Sequence, residues 1–416
     1  MARGGGAGRT EDPVSLARGA ADWLVVSRRA GAGDVSLYHG QAGIGLALLE
    51  AFEYFGDERH ARAAAETAEE LAASIEDLQD CSLYFGLAGV AVALGSLGRG
   101  DAAEHALDRV AARVDGRRWS PMFELFAGNA GIGLGALAAG DVDLAVTAVT
   151  PYLSTADRTE HGVNWAVRPS PARSHHMAHG TLGIVYALAA VGRAAGRADL
   201  VDLALAGAAD VVARNEAGPD AFLVPHSDPP HRPELIERYS LGWCNGPAGD
   251  AQAFRLLAAV TGDPAWDDLV DRCWTTITRS GLPSRIRPGF WDNNGRCCGT
   301  AGVLALAGDR IVERGEGSDF AEVLLADLTA RATIDEDGVR WSNHEHRATD
   351  PELAPHPGWA MGNAGILREL LRYARLVGGD FSGYATQWPD HPVAHHQVAA
   401  TTPVGRVRGD RTGRVP

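Results

Sequence analysis

Seven times along the chain a Gly-x-x-Gly step opens an apolar run, and a unit repeated at such intervals folds as an array of like elements. The copies are HGQAGIGLALLEAF from His39, FGLAGVAVAL from Phe85, AGNAGIGLGAL from Ala127 and HGTLGIVYALAAVG from His179. NGPAGDAQAFRLLAAV from Asn245, CGTAGVLALAG from Cys298 and MGNAGILRELLRYARL from Met361 complete the set. The first glycines are Gly40, Gly86, Gly128, Gly180, Gly246, Gly299 and Gly362, 42 to 66 residues apart. Each step fits a tight turn that opens a helix, where glycine permits unusual dihedrals and close backbone approach.

The runs after the turns are apolar nearly all round, as in buried helices. Between them lie amphipathic segments that carry arginine and acidic residues: Leu16–Arg29, Ala61–Ile75, Ala102–Val114, Leu200–Arg214, Trp266–Thr278 and Phe320–Ala330. Their spacing suits surface helices, and strand-like alternation is scarce. One polar helix, one turn and one buried helix, seven times over, predict an all-α chain folded as an α/α toroid. Seven inner helices are ringed by seven outer ones, and no unit buries its own face alone. The alternative is an open α-solenoid; a ring is favoured because all seven inner runs look buried, whereas open arrays carry polar caps. The first dozen residues are rich in Gly and Arg, and residues 379–416 mix Pro, Gly, His and Arg without period. Both read as loose ends around one domain, residues 13–378.

Composition narrows the chemistry. The net charge of −15 argues against a nucleic-acid backbone as partner. All 38 basic side chains are arginine, so neither a P-loop lysine nor a Schiff-base lysine is present. Five cysteines in 416 residues are too few for a disulfide framework. No apolar run approaches the roughly 20 residues of a membrane helix, nor does the start read as a signal peptide. A reducing cytoplasm is the expectation.

In a ring, all seven turns emerge at one end. Residues just before each first glycine then line one opening. Cys297 and Cys298 precede Gly299, Cys244 precedes Gly246, His179 precedes Gly180, and Glu124 lies four residues before Gly128. Adjacent cysteines pair only through a strained ring, so metal ligation or redox chemistry is the better reading. Three thiols from two neighbouring turns suit a soft tetrahedral cation, zinc above others, with one position left open; chance burial is the alternative. Cys81, five residues before Gly86, is the candidate fourth ligand, and Cys273 reads as core. His179 is a candidate by its place beside the thiols, with a hydrogen-bonded helix entry as its alternative. Glu124 reads equally as a carboxylate favoured by a helix N-terminus. His39 reads as structural, and His175 and His176 as solvated residues before a turn.

These motifs resemble the lanthionine synthetase C-like family, the cyclases of lanthipeptide biosynthesis. The likeness runs from about Leu16 to Leu376 and rests on GWCNG, CCG and MAHG. It implies the α/α toroid and a zinc held by Cys244 and Cys297, with Cys298 where the family usually has His. It implies a catalytic role for His179, and for Glu124 where the family commonly has Asp. The family tends to have an Arg four residues before the tryptophan-motif cysteine; here that place is Ser240, and Arg238 is a conceivable substitute. The implied reaction adds peptide cysteine thiols to dehydroalanine or dehydrobutyrine in a precursor peptide, dehydrated by a partner enzyme. Alternatives are addition of glutathione or another small thiol to dehydroamino acids in proteins, and a zinc-stabilised peptide-binding scaffold. Glycoside hydrolysis needs two carboxylates across a cleft, and beside Glu124 only Asp292 is on offer.

Overall fold

The computed structural model describes residues 12–31, 33–381, 383–386 and 388. The chain is an α/α toroid. Its inner helices are α2 (Gln41–Phe55), α4 (Leu87–Ser96), α6 (Asn129–Ala138), α9 (Thr181–Ala195), α11 (Pro247–Thr261), α13 (Thr300–Arg314) and α15 (Asn363–Val377). The outer ring is α1 (Pro13–Ser27), α3 (Glu58–Ser74), α5 (Gly100–Ala111), α7 (Val142–Val149) continued by the short α8 (Pro151–Thr155), α10 (Ala198–Val212), α12 (Pro264–Arg279) and α14 (Asp319–Arg331). Three two-stranded ribbons decorate the loops: β1 (Asp157–Arg158) with β2 (Val163–Asn164), β3 (Arg173–Ser174) with β4 (Ser227–Asp228), and β5 (Thr333–Asp335) with β6 (Gly338–Arg340).

Local sequence explains the pieces. Outer helices bury one stripe; in α5 it is Ala103, Ala106, Leu107 and Val110, the spacing of a single helical face. Asp57, Asp141 and Asp263 cap α3, α7 and α12 with their carboxylates. Inner helices α2, α9, α11 and α13 stop at Gly56, Gly196, Gly262 and Gly315, each in the left-handed region that glycine enters without strain. Each inner helix packs on the outer helix that follows it, except the last: α15 packs on α1, so the two ends of the chain close the circle.

Of the two jobs expected of the repeat glycines, close backbone approach is the one they do. None of the seven first glycines lies in the left-handed region, all being extended; the cause is space. A Cβ at Gly40 would stand 2.1 Å from the Asp34 carbonyl oxygen. The second glycine of each pair is a gear tooth. A Cβ on Gly249 would meet the Trp243 carbonyl at 1.8 Å and the Cβ of Met177, in the preceding unit, at 3.1 Å. Gly89 meets Leu37 in this way, Gly131 meets Leu83, Gly183 meets Leu125, Gly302 meets Trp243, and Gly365 meets Arg296. Gly43, in the first unit, meets Trp359 in the seventh. The contact rule is cyclic, which an open solenoid cannot satisfy.

A backbone circle runs round the same rim. N–H groups of Tyr38, Tyr84, Ala178, Cys244, Cys297 and Ala360 donate to the carbonyls of Tyr84, Phe126, Cys244, Cys297, Ala360 and Tyr38, at 2.8 to 3.4 Å. The one link missing among the described residues is from Phe126 to Ala178. There the Phe126 N–H donates instead to the Glu124 carboxylate at 2.7 Å.

Part of the expected loose tail is packed. Tyr384, Thr386 and Trp388 are buried. Tyr384 donates to Glu369, and the N–H groups of Ala385 and Thr386 donate to the buried Glu50 carboxylate at 2.9 Å each. Trp388 stacks on Trp359 at 4.6 Å. The correction has a plain cause: Glu50 and Glu369, both on inner helices, are acceptors inside the ring that this segment satisfies. The rest of that tail and the first eleven residues lie outside the described residues.

Candidate metal centre

Position before the first glycine decides which way a side chain faces. Three residues before it stand Leu37, Leu83, Leu125, Met177, Trp243, Arg296 and Trp359, all buried in the middle of the ring. One residue before it stand His39, Phe85, Ala127, His179, Asn245, Cys298 and Met361, all half-buried or exposed. Cys244 and Cys297 occupy the place between, on the backbone circle.

The Cys244–Cys297 link of that circle therefore brings three sulfurs together. Sγ atoms of Cys244, Cys297 and Cys298 all lie within 4.8 Å of one another. Cys244 and Cys298 stand 2.8 Å apart, Cys298 and Cys297 3.5 Å. All are free thiols, the closest pair well beyond the ~2.05 Å of a disulfide. The Tyr38 hydroxyl donates to Cys297 Sγ at 3.7 Å, and Asn245 Nδ2 to Cys244 Sγ at 3.4 Å. Hydrogen bonds from Cys244, Cys298 and Tyr38 pull the Cys297 thiol well down against its burial. Cys244 is pushed well up by its bonds to Cys297 and Cys298 and by burial. Cys298 is also held high: its contact with Cys244 works the other way, and its bond to Cys297, burial and the Cys297 charge outweigh it. Three clustered sulfurs cannot all ionise by themselves. A dication is the chemistry that lets them, and the donor set fits zinc after the closest pair opens by about 1 Å, since ~2.3 Å Zn–S bonds in a tetrahedron put sulfurs about 3.8 Å apart.

Beside the sulfurs opens a cavity of about 1070 Å³, whose lining includes Cys244, Cys298, His179, Arg168, His226, Ser240, Trp291 and Asp292. His179 is one-third exposed, with Nδ1 3.3 Å from Glu124 Oε2. That approach is close but not aligned as a hydrogen bond, and Nδ1 is buried without another partner. Glu124 is fully buried, so it stands behind His179 rather than on the cavity wall. It accepts the Phe126 N–H and, at 2.9 Å, that of Ala127.

The other sequence expectations divide. Cys81 is buried away from the cluster, its thiol raised by burial; Cys273 is on the buried stripe of α12. His39 packs edge-on against Tyr38 and His356. His175 and His176 are not solvated: both are buried, and His176 Nδ1 lies 2.9 Å from a carboxylate oxygen of the buried Asp250. Their turn is lidded by the backbone bond from His175 to His226. Arg238 stands at the cavity but pairs with Glu216 at 2.5 Å and with the Tyr239 hydroxyl. Asp292 is held by Arg285, His346 and the Gly289 N–H, and Glu124 is off the wall.

Sequence reasoning missed Tyr38, although it stands two residues before Gly40, in the register of Cys244 and Cys297. It also missed Arg168, His226 and His346, the partner of Asp292, which come from loops between the repeats. Trp291 has a positive φ of 57°, a strained state that accumulates at functional walls.

A sequence model of the family described as "Lanthionine synthetase C-like protein" matches residues 31–218 and 231–325. Among solved structures the chain is similar to nisin cyclase, with 16% identity over 91% of this chain and 96% of that one and a TM-score of 0.62. A weaker likeness, TM-score 0.48 and 11% identity over 88% of this chain and 98% of the other, is to an unsaturated glucuronyl hydrolase specific for heparin. No curated protein matches the sequence. At these identities the structural likeness speaks to fold alone.

Proposed function

The chain belongs to the lanthionine synthetase C-like family, and on that premise we propose that it is a zinc-dependent cyclase joining cysteine thiols to dehydroamino acids in a precursor peptide. The observation that carries the reading is the trio of sulfurs from two neighbouring turns, with Cys298 facing a cavity that also holds His179. Cys244, Cys297 and Cys298 would hold the metal. Zinc bound there would supply a Lewis acid that lowers the pKa of an incoming thiol.

The cavity admits a peptide segment carrying dehydroalanine or dehydrobutyrine. The substrate thiolate forms the C–S bond at the β-carbon, and the displaced π pair moves onto the amide carbonyl as an enolate. His179 delivers a proton to the α-carbon; with Nδ1 turned to Glu124, Nε2 is the nitrogen left for the cavity. Glu124 orients the ring and balances the charge of its protonated form. The chain lacks lysine altogether, and the dehydration step is assigned to a partner enzyme.

The test measures zinc per chain in purified protein and in Cys244→Ala, Cys298→Ala and Cys273→Ala, and follows thioether formation in a synthetic peptide with one dehydroalanine and one cysteine. Near one zinc in wild type and Cys273→Ala, lost in the other two together with turnover, is expected. Full zinc content in Cys298→Ala, or turnover with glutathione but never within the peptide, would refute the reading.

A further inference from the structure

Resting on the proposed reaction, we propose that Arg168 is a catalytic residue of the thiol cavity, which meets the carbonyl oxygen of the dehydroamino acid as the enolate charge develops there and holds that charge. Three observations lead to it.

The first is placement. Arg168 follows Val167, whose carbonyl accepts the Phe123 N–H at 2.7 Å. Arg118 fastens the same segment through the Ala166 carbonyl at 3.2 Å, and Trp165 and Val167 are fully buried beneath it. The arginine is thus mounted on a pinned loop segment next to Glu124, and it lines the cavity with His179, Cys244 and Cys298.

The second is an unmet charge. Arg168 makes no ion pair among the described residues, and its Nε is buried with no partner. Burial lowers the guanidinium pKa; Glu124 opposes that and Arg232 adds to it. Glu124 is the one carboxylate near enough to register, and its two oxygens already take the Phe126 and Ala127 N–H groups. Other neighbours are cationic or neutral: burial, followed by the charges of His176, His179 and Arg168, pulls His226 down to about 3. A half-buried guanidinium in such a corner fits an oxyanion, which it meets with a fork of donors.

The third is that the other candidates on the cavity wall are paired, exposed or uncharged, Arg279 among them being exposed at the end of α12. Ser240 carries no charge, and Arg238 pairs with Glu216 at the exposed mouth. Arg287 and Arg347 pair with Glu237 and Glu345.

The step balances without an outside reagent. The thiolate gives its electron pair to the β-carbon, and the Cα–Cβ π pair moves to put a negative charge on the amide oxygen beside Arg168. The pair returns when His179 protonates the α-carbon, and the proton released by the thiol keeps the count. A donor aimed at developing charge in a site shielded from water is worth roughly 10²–10³ in rate.

The experiment assays wild type, Arg168→Ala, Arg168→Lys and Arg168→Gln on the dehydroalanine–cysteine peptide, with and without millimolar guanidine hydrochloride. Binding of the same peptide with alanine in place of dehydroalanine is measured in parallel. Expected are a roughly 10²-fold lower kcat in Arg168→Ala with KM within about 3-fold, a smaller loss in Arg168→Lys, partial rescue by guanidinium, and unchanged zinc content, Tm and binding of the alanine peptide. A kcat within about 3-fold of wild type, or a loss confined to KM, overturns the proposal while the cyclase reading stands. No thioether formation by wild type removes the reaction and this role with it.

Discussion

Replacing Glu124 separates the turn cap that its carboxylate makes from the role proposed for its charge beside His179. Four residues before the first glycine, Ser36 accepts the N–H groups of His39 and Gly40 at 3.0 and 3.1 Å, and Ser82 accepts that of Phe85. Glu124 holds the same place and accepts from Phe126 and Ala127; it is a turn cap that also carries charge to His179. Glu124→Gln keeps the shape but presents an NH₂ to one backbone N–H. A charge-assisted bond is lost and a buried donor is stranded, a cost of roughly 2–4 kcal/mol, seen as a few degrees in Tm. Glu124→Ser rebuilds the cap as Ser82 makes it and removes the charge, so its Tm falls less than that of Glu124→Ala, by about 1 kcal/mol or more in chemical denaturation. Thioether formation falls by at least about tenfold in all three variants, bounded by the 10²–10⁴ that a general acid is worth. Glu124→Asp keeps charge and cap and retains most activity. If Glu124→Ser turns over as wild type does, the charge is idle and Glu124 is a cap alone; if Glu124→Gln keeps the wild-type Tm, the capping argument is wrong.

Two further predictions concern the fold. Gly249→Ala places a Cβ 1.8 Å from the Trp243 carbonyl and should cost about 3 kcal/mol or more in denaturant unfolding, whereas Gly95→Ala, with nothing within 4 Å, should gain about 0.5–1 kcal/mol from helix propensity; equal effects would sink the cyclic gear. Burial pulls the fully enclosed His175 down to about 3, so the unfolded chain binds its proton below about 6.5 while the folded one does not, and stability is lost as pH falls from 6.5 toward 3. At pH 5 the loss is about 2 kcal/mol, and His175→Leu should show a measurably flatter fall in denaturation midpoint between pH 7 and 5; parallel curves would refute the assignment.

The toroid was legible because its cause is periodic: the same glycine step and apolar run recur until the circle closes, and α15 on α1 needs no signal beyond the count. Which of the two reasons calls for the glycines was not legible. Tight turns and close packing call for the same residue, and only coordinates show φ in the extended region with a carbonyl where Cβ would be. The three cysteines were found because their place before Gly246 and Gly299 is fixed by the repeat. Arg168, His226 and His346 were invisible since the loops between units differ in length, and nothing in a single sequence says which loop folds over which rim. His175 and His176 misled for a related reason: histidines before a turn look solvated unless one knows that the β4 loop covers them and that Asp250 waits on α11.

The site sits where the ring is least regular. Six links of the backbone circle are ordinary amide bonds; at the seventh, Glu124 takes the Phe126 N–H, and the Ala178 carbonyl receives none from it. That break puts a carboxylate in the plane of the circle, behind the residue that the next turn sends outward, which is His179. The next link, Ala178 to Cys244, and the one after, Cys244 to Cys297, are intact, so the sulfurs sit on the stiff part of the circle. The half-buried Cys298 faces the cavity because it stands one place nearer its glycine, in the outward register. In the proposed reaction metal ligands would need rigidity within a few tenths of an ångström, whereas a proton donor would need a ring that can reach an α-carbon. One circle would provide both by keeping its hydrogen bonds on the cysteine arc and giving one up beside the histidine.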